Sequence, residues 1–173
     1  TDFVSITEFT TTNLFISSSV TSNWIIAFRV RAENPNNLPS NYVASVATTT
    51  LTFAPTLAGF QVFTTSISVT LAPNANPPGT SVMITTGDFS ISNSSSSGLG
   101  SGNTTLKMLN LVPNTNYTLQ ARTLNYNSIP SFSSPIASTT TLTAVHAVSG
   151  FQVFATSVTI TIGANGNPVG TQI

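Results

Sequence analysis

The stretch GFQVFTTSISVTLAPNANPPGT at residues 59–80 returns as GFQVFATSVTITIGANGNPVGT at residues 150–171, a shift of 91 residues. The same shift carries TTTLT at 48–52 onto TTTLT at 139–143. It also carries Arg31, Asn34, Asn36, Pro39 and Ser40 onto Arg122, Asn125, Asn127, Pro130 and Ser131. What repeats is therefore a whole unit. Its length exceeds the roughly 20–50 residues of solenoid repeats and suits a tandem array of small domains.

Inside the unit the apolar residues recur every second position. Ile67, Val69 and Leu71 alternate with Ser68 and Thr70, and Val158, Ile160 and Ile162 alternate with Thr159 and Thr161. This is the pattern of a strand with one face toward a core and one toward water. TSVMITT, TTLKMLNL, NYTLQARTL and SPIASTTTLT read as further short strands. Turn signals separate them: Asn76-Pro77-Pro78-Gly79, the stretch SNSSSSGLGSGN read as loop, Pro113-Asn114, and residues 127–130. No window carries a helical stripe with a cap. The expected class is all-β, with sandwiches of about seven strands.

The run LVPNTNYTLQAR at residues 111–122 resembles the L-x-P-x-T-x-Y-x-x-x-V-R-A signature of fibronectin type III domains. The resemblance implies tandem Ig-like β-sandwiches of a bacterial-type secreted or cell-surface protein, with Tyr117 as the corner tyrosine at the start of strand F. The chain departs from the family where Leu71 and Ile162 stand for the strand B tryptophan and Val82 for the strand C aromatic. In the preceding unit Ile26 takes the tyrosine position, with Trp24 two residues earlier.

In that phase, residues 53–143 form one complete domain. Residues 1–50 correspond to the later strands of a domain, and residues 148–173 to strands A, B and the start of C of a further one. A partial sandwich exposes an apolar face and unpaired edges, which invite another strand. The surfaces expected to meet a neighbour are Phe151, Val153, Val158, Ile160 and Ile162 at one end, and Trp24, Phe28 and Val30 at the other. The neighbour is either another copy, joined head to tail, or an adjoining repeat of the same polypeptide.

Charge narrows the partners. Four Lys or Arg and four Asp or Glu make up 5% of the 173 residues, with zero net charge, where a typical domain is roughly a quarter charged. There is no field to steer nucleic acid and no apolar run long enough to span a membrane, so neither is an expected partner. Abundant Ser, Thr and Asn at neutral charge point to an extracellular or cell-surface setting. Cysteine is absent, which excludes disulfides and thiolate metal sites.

The inventory for catalysis is sparse. His146, the one histidine, lies in a linker, and Asp2, Glu8, Glu33 and Asp88 are scattered. No enzyme activity, metal or cofactor is expected. Arg31 and Glu33 read as a surface ion pair. Phe60, Phe63, Phe151 and Phe154 read as core or junction packing. Trp24 is the candidate ligand aromatic, able to stack a sugar ring, which leaves glycans open as partners; the N-x-S/T triplets at Asn93, Asn103 and Asn116 are no more than chance gives in a chain this rich in Ser, Thr and Asn and carry no information by themselves. The expected function is a structural repeat protein forming an extracellular fibre, sheath or stalk. The alternative is a spacer, or a carbohydrate- or adhesion-binding module, of a large secreted protein.

Overall fold

The computed structural model describes residues 20–27, 31–43, 47–89, 94–132 and 134–172. Their regular structure is entirely β: β1 (Ile25–Ala27), β2 (Ala47–Thr49), β3 (Thr56–Val62), β4 (Ile67–Ala72), β5 (Ser81–Thr85), β6 (Ser94–Gly98), β7 (Thr104–Met108), β8 (Asn116–Leu124), β9 (Ser134–Thr140), β10 (Ala147–Val153) and β11 (Val158–Gly163). No helix long and apolar enough to cross a membrane occurs among these residues.

Strands β3 to β9 form two antiparallel sheets, one ordered β3-β4-β7 and the other β6-β5-β8-β9. In sandwich lettering this is A-B-E facing C′-C-F-G, and the fold is a fibronectin type III-like β-sandwich. The period-two pattern decides which side chains meet. Ile67, Val69 and Leu71 of β4 are fully buried, as are Val82 and Ile84 of β5 and Leu119 of β8. With Leu99, Leu106, Met108, Leu111 and Ala121 they form one aliphatic core. Each such side chain contributes roughly 1.5–3 kcal/mol by leaving water.

The flanking pairs repeat the sandwich's own hairpins. β1 pairs with β2 through Ile25↔Thr49, Ile26↔Thr48 and Ala27↔Ala47. After the 91-residue shift these are the β8–β9 pairs Asn116↔Thr140, Tyr117↔Thr139 and Thr118↔Ser138. β10–β11 likewise reproduces β3–β4, including its bulge, which falls at Leu57/Gly59 in one and at Val148/Gly150 in the other. Left-handed backbone recurs in register at Asn23 and Asn114, at Asn74 and Asn165, and at Asn37 and Ser128. Asn accepts that conformation more readily than most residues because its short polar side chain bonds locally.

Two expectations fail. Ser94–Gly98 is strand β6, not loop, pairing with β5 from Ser81↔Gly98 to Thr85↔Ser94. Its serines are polar at every position, so the strand carries no hydrophobic alternation and backbone pairing alone defines it. Of the core or junction packing expected for Phe60 and Phe63, the core alternative fails, because they are 40% and 42% exposed. Phe60 stands opposite Val69, but β3 is an edge strand and leaves its rim open. Phe63 follows β3 and lies under the Lys107 ammonium, 5.1 Å from the ring centroid.

Candidate functional site: unit junctions and an open sheet face

The junction before the sandwich is built from asparagine. Asn23, 2% exposed, donates from Nδ2 to Thr80 Oγ1 at 3.0 Å and accepts the Tyr126 amide on Oδ1 at 2.8 Å. Asn76 accepts the Phe53 amide at 2.9 Å and donates to the Phe53 and Pro73 carbonyls, both at 2.8 Å. Asn125 Nδ2 points at the carbonyls of Thr49 and Thr50, 3.4 and 3.3 Å away. Buried amides left without partners would cost about 1–3 kcal/mol each, so these bonds fix how the elements meet.

The junction after the sandwich repeats this wiring. Asn114 Nδ2 donates to Thr171 Oγ1 at 3.0 Å. Asn167 accepts the Ala144 amide at 2.7 Å and donates to the Ala144 and Ala164 carbonyls, both at 2.8 Å. The hydroxyl of Thr50, bonded to the Thr21 carbonyl and Trp24 amide, reappears as Thr141, bonded to the Val112 carbonyl and Thr115 amide. The recurrence of these Asn and Thr residues at the 91-residue shift is the signal that could have marked them.

Beyond the second junction lies an open face. Val158 and Ile160 are each 58% exposed and Ile162 41%, whereas their counterparts Ile67, Val69 and Leu71 are fully buried. Phe151, Val153 and Phe154 are exposed on the same hairpin. Among the described residues nothing covers β11 as β5 and β8 cover β4. At the other end Ile25 is 51% exposed and Ile26 half-buried. Phe28 and Val30 lie outside the described residues, as do Asp2, Glu8 and Asn93.

The remaining candidates separate. Tyr117 packs at the core edge, and its Oη accepts the Val112 amide at 2.9 Å. Trp24 is half-buried; with Tyr126, Ile25, Pro77 and Asn23 it lines an open groove of about 640 Å³ at the first junction. Arg31 pairs with Glu33 at 2.7 Å on the surface, a pair worth at most about 1 kcal/mol. Arg31 also lies 5.2 Å from the Tyr42 ring centroid, and its repeat counterpart Arg122 stacks more closely on Phe89, 4.0 Å from the centroid, with its buried Nε lacking a hydrogen-bond partner among the described residues. His146 is half-buried in the segment before β10. Among the described residues no three His, Cys, Asp or Glu side chains gather where a metal could bind.

No family model and no curated protein matches this chain. Among solved structures, it is similar to the crystal structure of chicken CNTN1 FN1-FN3 domains, with a TM-score of 0.36 and 17% identity. That similarity covers 73% of this chain and 45% of the other, so the chain spans less than half of the structure it matches. The strand order of the two sheets, and not this likeness, carries the fold.

Proposed function

We propose that this protein is a non-catalytic structural element of an extracellular or cell-surface fibre, sheath or stalk, built by linking β-sandwich units end to end. The link is strand complementation: the open face of β10–β11 in one copy is covered by the later-strand segment, residues 1–50, of the next. The observation that carries this reading is the match between the two ends. One presents an A-B hairpin in the register of β3–β4, the other an F-G pair in the register of β8–β9. The central sandwich supplies the pattern by which two such pairs close around one core. In this reading residues 53–143 are the self-sufficient domain and the flanks are halves awaiting completion. Near-absence of charge fits the role, because sheet edges that must stay apart usually carry Lys or other guards.

Ile160→Asp tests it. A carboxylate in the newly buried core is too costly to accommodate, so the variant remains monomeric in analytical ultracentrifugation at concentrations where the unaltered chain forms long head-to-tail assemblies. Equal assembly by both proteins would refute the reading.

The groove beside Trp24 and Tyr126 favours a second reading, a glycan- or adhesion-type binding module. Two aromatic side chains beside Thr21 line a groove on which a sugar ring could stack. Loss of glycan-array binding on Trp24→Ala would favour this second role.

A further inference from the structure

The loop at residues 32–40 and the loop at residues 123–131 have the same internal bonds and differ in the burial of three positions. Asn34 Oδ1 accepts the Asn36 and Leu38 amides at 3.0 and 2.9 Å, and Asn125 Oδ1 accepts the Asn127 and Ile129 amides at 3.0 and 2.9 Å. Ser40 Oγ accepts the Ala32 amide and Ser131 Oγ the Thr123 amide, each at 2.9 Å. Yet Thr123, Asn125 and Ser131 are 0%, 4% and 7% exposed, whereas every residue from 31 to 43 is exposed. The ends of the later loop are held against the preceding unit, at Asn23 and the carbonyls of Thr49 and Thr50, while its middle, residues 126–130, stays exposed like the earlier loop.

The surface that would receive the earlier loop also exists. Asn114 repeats Asn23, and Thr140 and Thr141 repeat Thr49 and Thr50. Asn114 has made its bond to Thr171, as Asn23 has to Thr80, but among the described residues its Oδ1 accepts nothing. Among those residues Asn34 Nδ2 likewise donates to nothing.

From these observations we infer that the 32–40 loop of one copy docks on the Asn114 and Thr140–Thr141 surface of the preceding copy, with Asn34 Nδ2 donating to the Thr140 and Thr141 carbonyls. The inference rests on the end-to-end reading and adds a second contact, made with the complete sandwich rather than with β10–β11. The sequence also makes this seat weaker than the internal one. Thr123, whose hydroxyl meets Thr52 Oγ1 at 2.8 Å and the Phe53 carbonyl at 2.7 Å, is replaced by Ala32. Tyr126, whose amide meets Asn23, is replaced by Pro35, which has no N–H to give. The joint between copies is thus the weaker link of the array.

The test uses the full chain and three variants, with the concentration for half-maximal assembly read by light scattering and sedimentation. Asn34→Asp keeps the oxygen that organises the loop and sets a carboxylate oxygen against two carbonyls. It should raise that concentration about tenfold, a change of roughly 1.4 kcal/mol. Ala32→Thr restores the missing hydroxyl and should lower the concentration several-fold. Ile160→Asp should abolish assembly. If Ile160→Asp abolishes assembly while Asn34→Asp and Ala32→Thr both assemble like the unaltered chain, the loop inference is overturned and the complementation reading stands. If Ile160→Asp assembles normally, both are overturned.

Discussion

β4 and β11 are almost the same strand, ISVTLA in one and VTITIG in the other, in hairpins of identical register. Only β4 is inside a core. Its inward positions are fully buried while those of β11 are 41–58% exposed, so the sequence pattern specifies which side chains share a face and the opposing sheet determines whether that face is dry. The two hairpins share their local geometry because ladder bonds, the bulge and the left-handed Asn turn are internal to each. What it lacks is the hydrophobic term, the largest contribution to a sandwich.

Truncation should separate the two strands most sharply. Leu71→Ala removes a fully buried side chain and should cost about 2–5 kcal/mol in chemical denaturation of dilute protein. Ile162→Ala should cost no more than about 0.5 kcal/mol under the same dilute conditions. If it costs as much as Leu71→Ala in dilute monomer, the open face is not open.

The two junctions give the next comparison. Asn76→Ala strands the partly buried Phe53 amide and carbonyl, and Asn167→Ala does the same to Ala144. Each should lower unfolding stability by about 1–3 kcal/mol, with a similar loss at both sites if the wiring is equivalent. Hydrogen exchange of the linker amides would show the loss locally.

A smaller effect belongs to the corner. Tyr117→Phe deletes the hydroxyl that accepts the Val112 amide and should cost about 0.5–1.5 kcal/mol. The preceding unit already has Ile26 in that place, so the corner bond cannot be general to the array. The smallest change expected is a gain. Ala75 holds φ 61° where its repeat counterpart Gly166 holds φ 83°, and Ala75→Gly should stabilise the turn by up to about 1 kcal/mol, read as a rise in Tm.

Much of this architecture was legible in the sequence for one physical reason. Alternation at Ile67, Val69 and Leu71 reports a half-buried strand directly, and the 91-residue shift multiplies every local reading by two. Strand β6 was illegible because Ser94–Gly98 is held by backbone pairing to β5, which leaves no trace in side-chain polarity. Phe60 misled in the opposite sense: an aromatic at an inward position normally signals a core, yet an edge strand leaves it 40% exposed. The junction asparagines were visible as letters and silent as contacts between units, since the side-chain partners of Asn23 and the Nδ2 partners of Asn125 lie 57 to 103 residues away in sequence.

The absence of native cysteine permits one decisive measurement of whether a second copy covers the β11 face. The Ile160→Cys variant places a single thiol on that face, and its rate of labelling by a small thiol reagent reports its exposure. The account predicts fast labelling in dilute protein and slowing by tenfold or more as concentration rises through the onset of assembly. A rate that stays fast at every concentration, or is slow even at the highest dilution, would contradict it.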